Sequence, residues 1–152
     1  MSKEMQMINK LISAEEIRNM IARYGIGADQ KNSPRILKPL FAEDAVWSCE
    51  GFGEFTGNDT IASALSKIAK EKIIWSFHAM ANPWIKVAAD NKRAKAEWAL
   101  WELSTVRSDG RAIDTIMAGF YEASLIHNNG AWLFHRLKLD LKVQSDYSRG
   151  FN

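Results

Sequence analysis

Among the groups in this 152-residue chain that could move protons near neutral pH, the three histidines come first: His78, His127 and His135. His127 sits beside Asn128-Asn129-Gly130 and reads as an exposed turn residue. His135 keeps step with Leu133 and Leu137, the pattern of a hydrogen-bonded core histidine. His78 differs. In Trp75-Ser76-Phe77-His78-Ala79-Met80 it shares a strand face with Ser76 and Met80, an apolar setting that shifts an imidazole pKa and makes a usable base, with a satisfied structural histidine as the alternative. Such a base needs an acceptor on its other ring nitrogen, normally a carboxylate. Asp29 is one candidate, following an apolar helical face. An ideal helix turns it roughly 140° away from Tyr24, so it points inward only if the last turn is distorted. Otherwise it is a solvated aspartate, placed unfavourably near the negative end of the helix dipole. Asp114, in Ala112-Ile113-Asp114-Thr115-Ile116-Met117, is a carboxylate within an apolar strand, with a surface-facing aspartate as the plainer reading. There is no phosphate-binding glycine loop, zinc-ligand spacing, nucleophile elbow or HExxH, so neither a cofactor nor a metal is expected.

These side chains must be positioned by helices that come first and strands that follow. Ser13 with Glu16 forms a capping-box pattern, and Ile17, Met20, Ile21, Tyr24 and Ala28 fall at helical spacing, which predicts a helix over 13–30. Gly25 and Gly27 weaken its last turn by about 1 kcal/mol each relative to alanine. Ser33-Pro34 starts a short second helix through Leu37, Leu40 and Phe41, and Ala45 to Glu50 reads as a strand before the Gly51-Phe52-Gly53 turn. Asn58, Asp59 or Thr60 can cap a third helix lined by Ile61, Leu65 and Ile68. Strands are then expected over 73–80, 84–88, 93–106, 112–126 and 131–143, with hairpin turns at Ser108-Asp109-Gly110 and Asn128-Asn129-Gly130. Leading helices and an antiparallel meander make an α+β fold, a curved sheet wrapped around helices into a cone whose mouth suits a small ligand.

Composition sets the outer limits. At 47% hydrophobic and 25% charged the chain affords a packed core, read as a single domain with an ordered part over about 13–143 and loose ends at 1–10 and 144–152. A net charge of +2 with scattered basic residues gives no nucleic-acid signature. No apolar run is long enough to span a membrane, no signal-peptide core opens the chain, and the lone Cys49 cannot form an internal disulfide, so a cytoplasmic protein is expected. Six Trp, seven Phe and three Tyr suit either an apolar cavity or an ordinary core.

The chain resembles the SnoaL-like branch of the nuclear-transport-factor-2-like superfamily, which includes scytalone dehydratase, bile-acid dehydratase and lindane dehydrochlorinase. Four stretches carry the likeness: Ile26-Gly27-Ala28-Asp29, Glu43 to Gly53, Phe77 to Pro83, and Asn129 to Phe134. The resemblance implies a cystatin-like α+β barrel and a general-base dyad of His78 and Asp29. The bile-acid enzyme adds a tyrosine matching Tyr24 and an aspartate matching Asp114. Because the dehydrochlorinase lacks a carboxylate matching Asp114, loss of water is favoured over loss of halide. The expectation is a cofactor-independent, dehydratase-type lyase acting on a small apolar cyclic or aromatic hydroxy compound. The catalytic set would be Tyr24, Asp29, His78 and Asp114, with Trp47, Cys49, Phe55 and Trp98 as walls. A ketosteroid isomerase-like isomerase and a non-catalytic ligand-binding module are the alternatives. Expected partners are a small apolar organic ligand and further copies of the chain, as a homo-oligomer (trimer or dimer), with no nucleic acid and no membrane.

Overall fold

A computed structural model of the chain describes residues 1–147. The elements run α1 (Lys3–Asp29), α2 (Pro34–Leu37), a 3-10 turn (Lys38–Leu40), β1 (Phe41–Cys49), β2 (Gly53–Thr56), α3 (Asn58–Lys72), β3 (Ile73–Val87), β4 (Arg93–Ser108), β5 (Arg111–Asn128) and β6 (Ala131–Asp146). The strands form one six-stranded curved sheet in the order β2-β1-β6-β5-β4-β3, and the architecture is α+β as expected. It is not purely antiparallel: β1 pairs in parallel with β6, from which β2, α3 and three long strands separate it in sequence. No helix among the described residues is long and apolar enough to cross a membrane.

Several boundaries differ from those expected, each for a local reason. The first helix begins at Lys3 rather than Ser13, because the Ser2 hydroxyl accepts the Met5 N–H at 3.1 Å and caps it there. Ser13 is therefore a buried mid-helix residue and caps nothing. Gly57, at φ 93°, stands at the N-terminus of α3 in place of Asn58, Asp59 or Thr60. The expected strands at 73–80 and 84–88 are one strand with an irregularity between Ala81 and Trp84, where Asn82 has φ 53°. Pro83 is tolerated at that point because β3 is an edge strand, where a missing N–H costs no ladder bond. Of the expected loose tail, 144–146 belong to β6, and 148–152 lie outside the described residues.

The core forms where one face of α1 meets the concave face of the sheet. Ile17, Ile21 and Tyr24 pack against Trp98, Tyr121, Phe134 and Leu137, all buried. Tyr24 meets Phe41, Tyr121 and Phe134 edge-on with ring centroids 5.7–6.1 Å apart, the offset arrangement aromatic quadrupoles favour. The two helical glycines answer a steric demand. A Cβ at Gly27 would come within 2.6 Å of Leu37 Cδ2 and 2.9 Å of Ile36 Cγ2, and one at Gly25 within 3.1 Å of Met80 Cγ. Removing the side chain lets α2 and β3 close on the last turns of α1. We expect Gly27→Ala to destabilise the fold by about 1–3 kcal/mol, against its gain in helix propensity, because overpacking outweighs propensity here. A urea midpoint unchanged or raised in the variant would show that the close approach is not under strain.

Candidate active site

Asp29 ends α1, and β3 passes directly in front of it. The helix stays regular to its end, with the Gln30 N–H bonding to both the Ile26 and Gly27 carbonyls at 3.2 Å. No distortion is needed for Asp29 to point inward, because the open edge of β3 comes to the helix flank. The Asp29 carboxylate accepts the His78 backbone N–H at 3.0 and 3.2 Å and the Ser76 hydroxyl at 3.3 Å, and lies 2.7 Å from His78 Nδ1. Across the ladder, Glu102 of β4 stands directly opposite His78, its Oε2 3.2 Å from Nε2. Side-chain exposure is 10% for His78, 31% for Asp29 and 6% for Glu102, so the imidazole is nearly dry. Burial alone would push His78 toward neutrality, but its hydrogen bonds to Asp29 and Glu102, reinforced by their charges, outweigh that and hold its pKa at about 9.

This clamp closes the polar end of a cavity of about 70 Å³, lined on its other sides by Tyr24, Asn32, Trp47, Phe52, Met117 and Tyr121 among others. The Trp47 indole N–H donates to the Tyr24 oxygen at 2.9 Å. Burial pushes the Tyr24 hydroxyl up to about 12 despite its hydrogen bonds with Trp47 and Tyr121, and raises Tyr121 well above the ordinary phenol range. Both stay protonated at neutral pH. Cys49 also lines the cavity, and burial, helped by the Asp140 and Glu50 charges, lifts its thiol to about 11, which leaves it a wall and no nucleophile. Asn32, from the α1–α2 connection, is anchored by its side-chain N–H on the Leu65 carbonyl at 2.9 Å. Roomier grooves of about 330 and 420 Å³ lie on the solvent-facing side of the sheet, among Lys86, Lys95, Glu97 and Arg136, far from this clamp.

Of the residues singled out in the sequence, the structure brings together Tyr24, Asp29, His78, Trp47 and Cys49. Phe55 and Trp98 stand one layer behind: Phe55 stacks on Trp47 at 5.8 Å and Trp98 on Tyr121 at 5.0 Å, and the Trp98 N–H donates to Met80 Sδ. Asp114 is elsewhere. Its register partner is Thr105, three positions on from Glu102, so it projects from the opposite face of the sheet, where it accepts the Thr105 hydroxyl at 2.7 Å. It cannot serve this cavity, and the preference for water over halide that rested on it loses that support. His135 is a surface residue facing Asp44 at 3.7 Å, because the irregularity between Ser124 and Leu125 shifts the alternation of β6. His127 packs its ring against Trp132. Glu102 is the residue sequence reasoning missed. Its signal was present: in β4 it keeps phase with Ala96, Trp98 and Leu100, a charge on the buried side of an alternating strand. Among the described residues no cluster of His, Cys, Asp or Glu is placed to hold a metal ion.

A histidine pKa raised on folding from 6.5 to about 9 stabilises the protein fully below pH 6.5, and that contribution is lost as pH rises through about 9. We expect stability measured by urea unfolding to fall by about 3 kcal/mol over this window, and His78→Gln to flatten the slope. Equal slopes in the two proteins would mean that the His78 ring gains no proton on folding.

The sequence profile of the SnoaL-like domain matches residues 9–138. Among solved structures, the chain is similar to the hexachlorocyclohexane dehydrochlorinase LinA-type3 from Novosphingobium barchaimii LL02, with TM-score 0.83 and 18% identity over 93% of this chain and 94% of that one. A candidate scytalone dehydratase from Novosphingobium aromaticivorans superposes with TM-score 0.79 at 24% identity, covering 93% and 91%. An NTF2-like protein with a cystatin-like fold from the same organism gives TM-score 0.70 at 21%, covering 95% and 91%. No curated protein matches the chain. At these identities the structural likeness speaks for the fold, whereas the profile match spans most of the sequence, and the protein belongs to the SnoaL-like domain family.

Proposed function

We propose that this protein is a cofactor-free lyase that eliminates water from a small apolar cyclic or aromatic hydroxy compound bearing a carbonyl group. The observation that carries this reading is one nearly dry imidazole held between two carboxylates at the polar end of an apolar cavity. Proton transfer through such a group contributes typically 10²- to 10⁴-fold in rate. Tyr24, protonated at all physiological pH, donates a hydrogen bond to the carbonyl oxygen as negative charge develops there. The leaving group is hydroxyl because departing hydroxide needs a proton, which the clamp can supply, whereas halide needs none. The cavity is smaller than the roughly 150 Å³ that admits a benzene ring, so a ring enters as wall side chains yield, Phe52 on its exposed turn foremost.

The test uses 3-hydroxycyclohexanone, whose dehydration to cyclohex-2-enone is followed by ultraviolet absorbance. We expect Asp29→Asn and His78→Gln each to lower kcat by about 10²- to 10⁴-fold with the circular dichroism unchanged. Cyclohex-3-enone has no leaving group, so its conversion would establish an isomerase instead. Binding of either ketone without product, surviving both substitutions, would establish a binding module.

The outer face of the sheet supports self-association with further copies of the chain, as a dimer or trimer. Trp75, Phe77, Trp84, Trp101 and Phe120 are about half exposed there, joined across strands by the pairs Phe77–Leu103, Ala79–Trp101 and Ala99–Phe120. Five half-exposed rings present about 500 Å² of aromatic surface, much of the roughly 800 Å² each partner contributes to a stable interface. We expect Trp101→Glu to convert an oligomer to monomer in sedimentation equilibrium. A wild type already monomeric at micromolar concentration would end this proposal.

A further inference from the structure

We propose that Glu102 takes the proton from the substrate, while His78, held as an imidazolium between Asp29 and Glu102, is the acid that protonates the departing hydroxyl. The assignment rests on the lyase reading above and gives the elimination a stereochemistry. It begins with hydrogen-bond geometry. Each ring nitrogen of His78 faces a carboxylate oxygen, Nδ1 at 2.7 Å from Asp29 and Nε2 at 3.2 Å from Glu102. A neutral imidazole has one N–H and one lone pair, so one of these contacts would set a lone pair against a carboxylate. Both become hydrogen bonds only when an additional proton lies between Nε2 and Glu102. The groups facing this pair come from every element around it: Asp29 and Tyr24 from α1, Ser76 from β3, Cys49 from β1 and Tyr121 from β5. The two phenols and the thiol keep their protons, which leaves Asp29 and Glu102 as the anions that hold the charged ring.

An imidazole bound in this way is a poor base. Nδ1 is taken by Asp29 and Nε2 by Glu102, so no lone pair faces the cavity. Glu102, however, uses only Oε2 in the clamp. Its side chain is 6% exposed, and it lines the cavity beside Tyr24, Met117 and Tyr121. A second carboxylate oxygen outside the clamp contact, on a nearly dry side chain at the cavity wall, is placed to take a proton from a molecule held there.

The step then balances within the site. Glu102 Oε1 takes the proton from the carbon next to the carbonyl, and the electron pair of that C–H bond delocalises toward the oxygen held by Tyr24. As the pair returns to form the C=C bond, the C–O bond breaks and the hydroxyl leaves with the Nε2 proton as water. Rotation of the Glu102 carboxyl group exchanges its two oxygens and carries the proton to the position 3.2 Å from Nε2, and its return to that nitrogen restores the starting state. No other reactant is consumed. His78 and Glu102 are opposite neighbours on one face of the sheet, so both reach the substrate from the same side and hydrogen and hydroxyl leave in a syn sense.

Two measurements decide this. Long-range nitrogen correlation spectra of the protein without substrate should show both His78 nitrogens protonated from pH 6 to 8, and a neutral ring at pH 8 in Glu102→Gln. Glu102→Asp, which keeps the charge, guards against a variant that merely misfolds, and should retain the imidazolium. With 3-hydroxycyclohexanone deuterated at C2, the wild type should lose the label cis to the hydroxyl. Its rate should fall above about pH 9, and Glu102→Gln should lower kcat by about 10²- to 10⁴-fold. A neutral His78 at pH 7, a rate that climbs through pH 9, or loss of the trans label would overturn the role of Glu102 while leaving the lyase reading in place. A wild type that releases no enone overturns both.

Discussion

Everything at the polar end of the cavity depends on a single imidazole with a carboxylate at each nitrogen. Burying one charged ring would cost several kcal/mol, and burying two carboxylates would cost more. Together they form a short chain of hydrogen bonds in which each charge faces its opposite, and burial then strengthens the contacts instead of penalising them. Removing His78 leaves two carboxylates without a counter-charge, and removing either carboxylate leaves a ring nitrogen without its acceptor, so the three residues act as one group. The chain also fixes polarity: Asp29, at the partly wet helix end, is the anchor, and Glu102, in the dry wall, lines the cavity together with His78.

That contact imposes a demand on the backbone. Asp29 belongs to a helix and His78 to a strand, and they meet only because β3 is the edge of the sheet and offers an unpaired N–H to the helix end. The distance is set by glycine. With Gly25 against Met80 and Gly27 against Leu37, α1 sits a side chain closer to its neighbours than any other residue would allow. Pro83 fits the same logic, since only an edge strand tolerates it. Behind the clamp, the stacks of Phe55 on Trp47 and Trp98 on Tyr121 hold in place the two side chains that hydrogen-bond to Tyr24.

The sequence by itself determined the fold class and the family likeness, and it singled out the two residues at the centre of the candidate site. Alternation in Leu137 to Val143, the turns at Asp109-Gly110 and Asn129-Gly130, and the helical phase of Ile17 to Tyr24 are local patterns, and local patterns survive without tertiary information. His78 was legible because its strand face is apolar, and Asp29 because it follows the apolar face of a helix. Only the tertiary structure decided how they meet. Helical geometry alone turned Asp29 away, and what brought it in was the position of β3, not a distortion of α1. Asp114 and Glu102 exchanged places for the same reason. Which carboxylate faces His78 is a matter of strand register, and a shift of one residue sends a side chain to the other face. The parallel pairing of β1 with β6 and the surface position of His135 follow from crossovers and irregularities that have no signature in any short stretch of sequence.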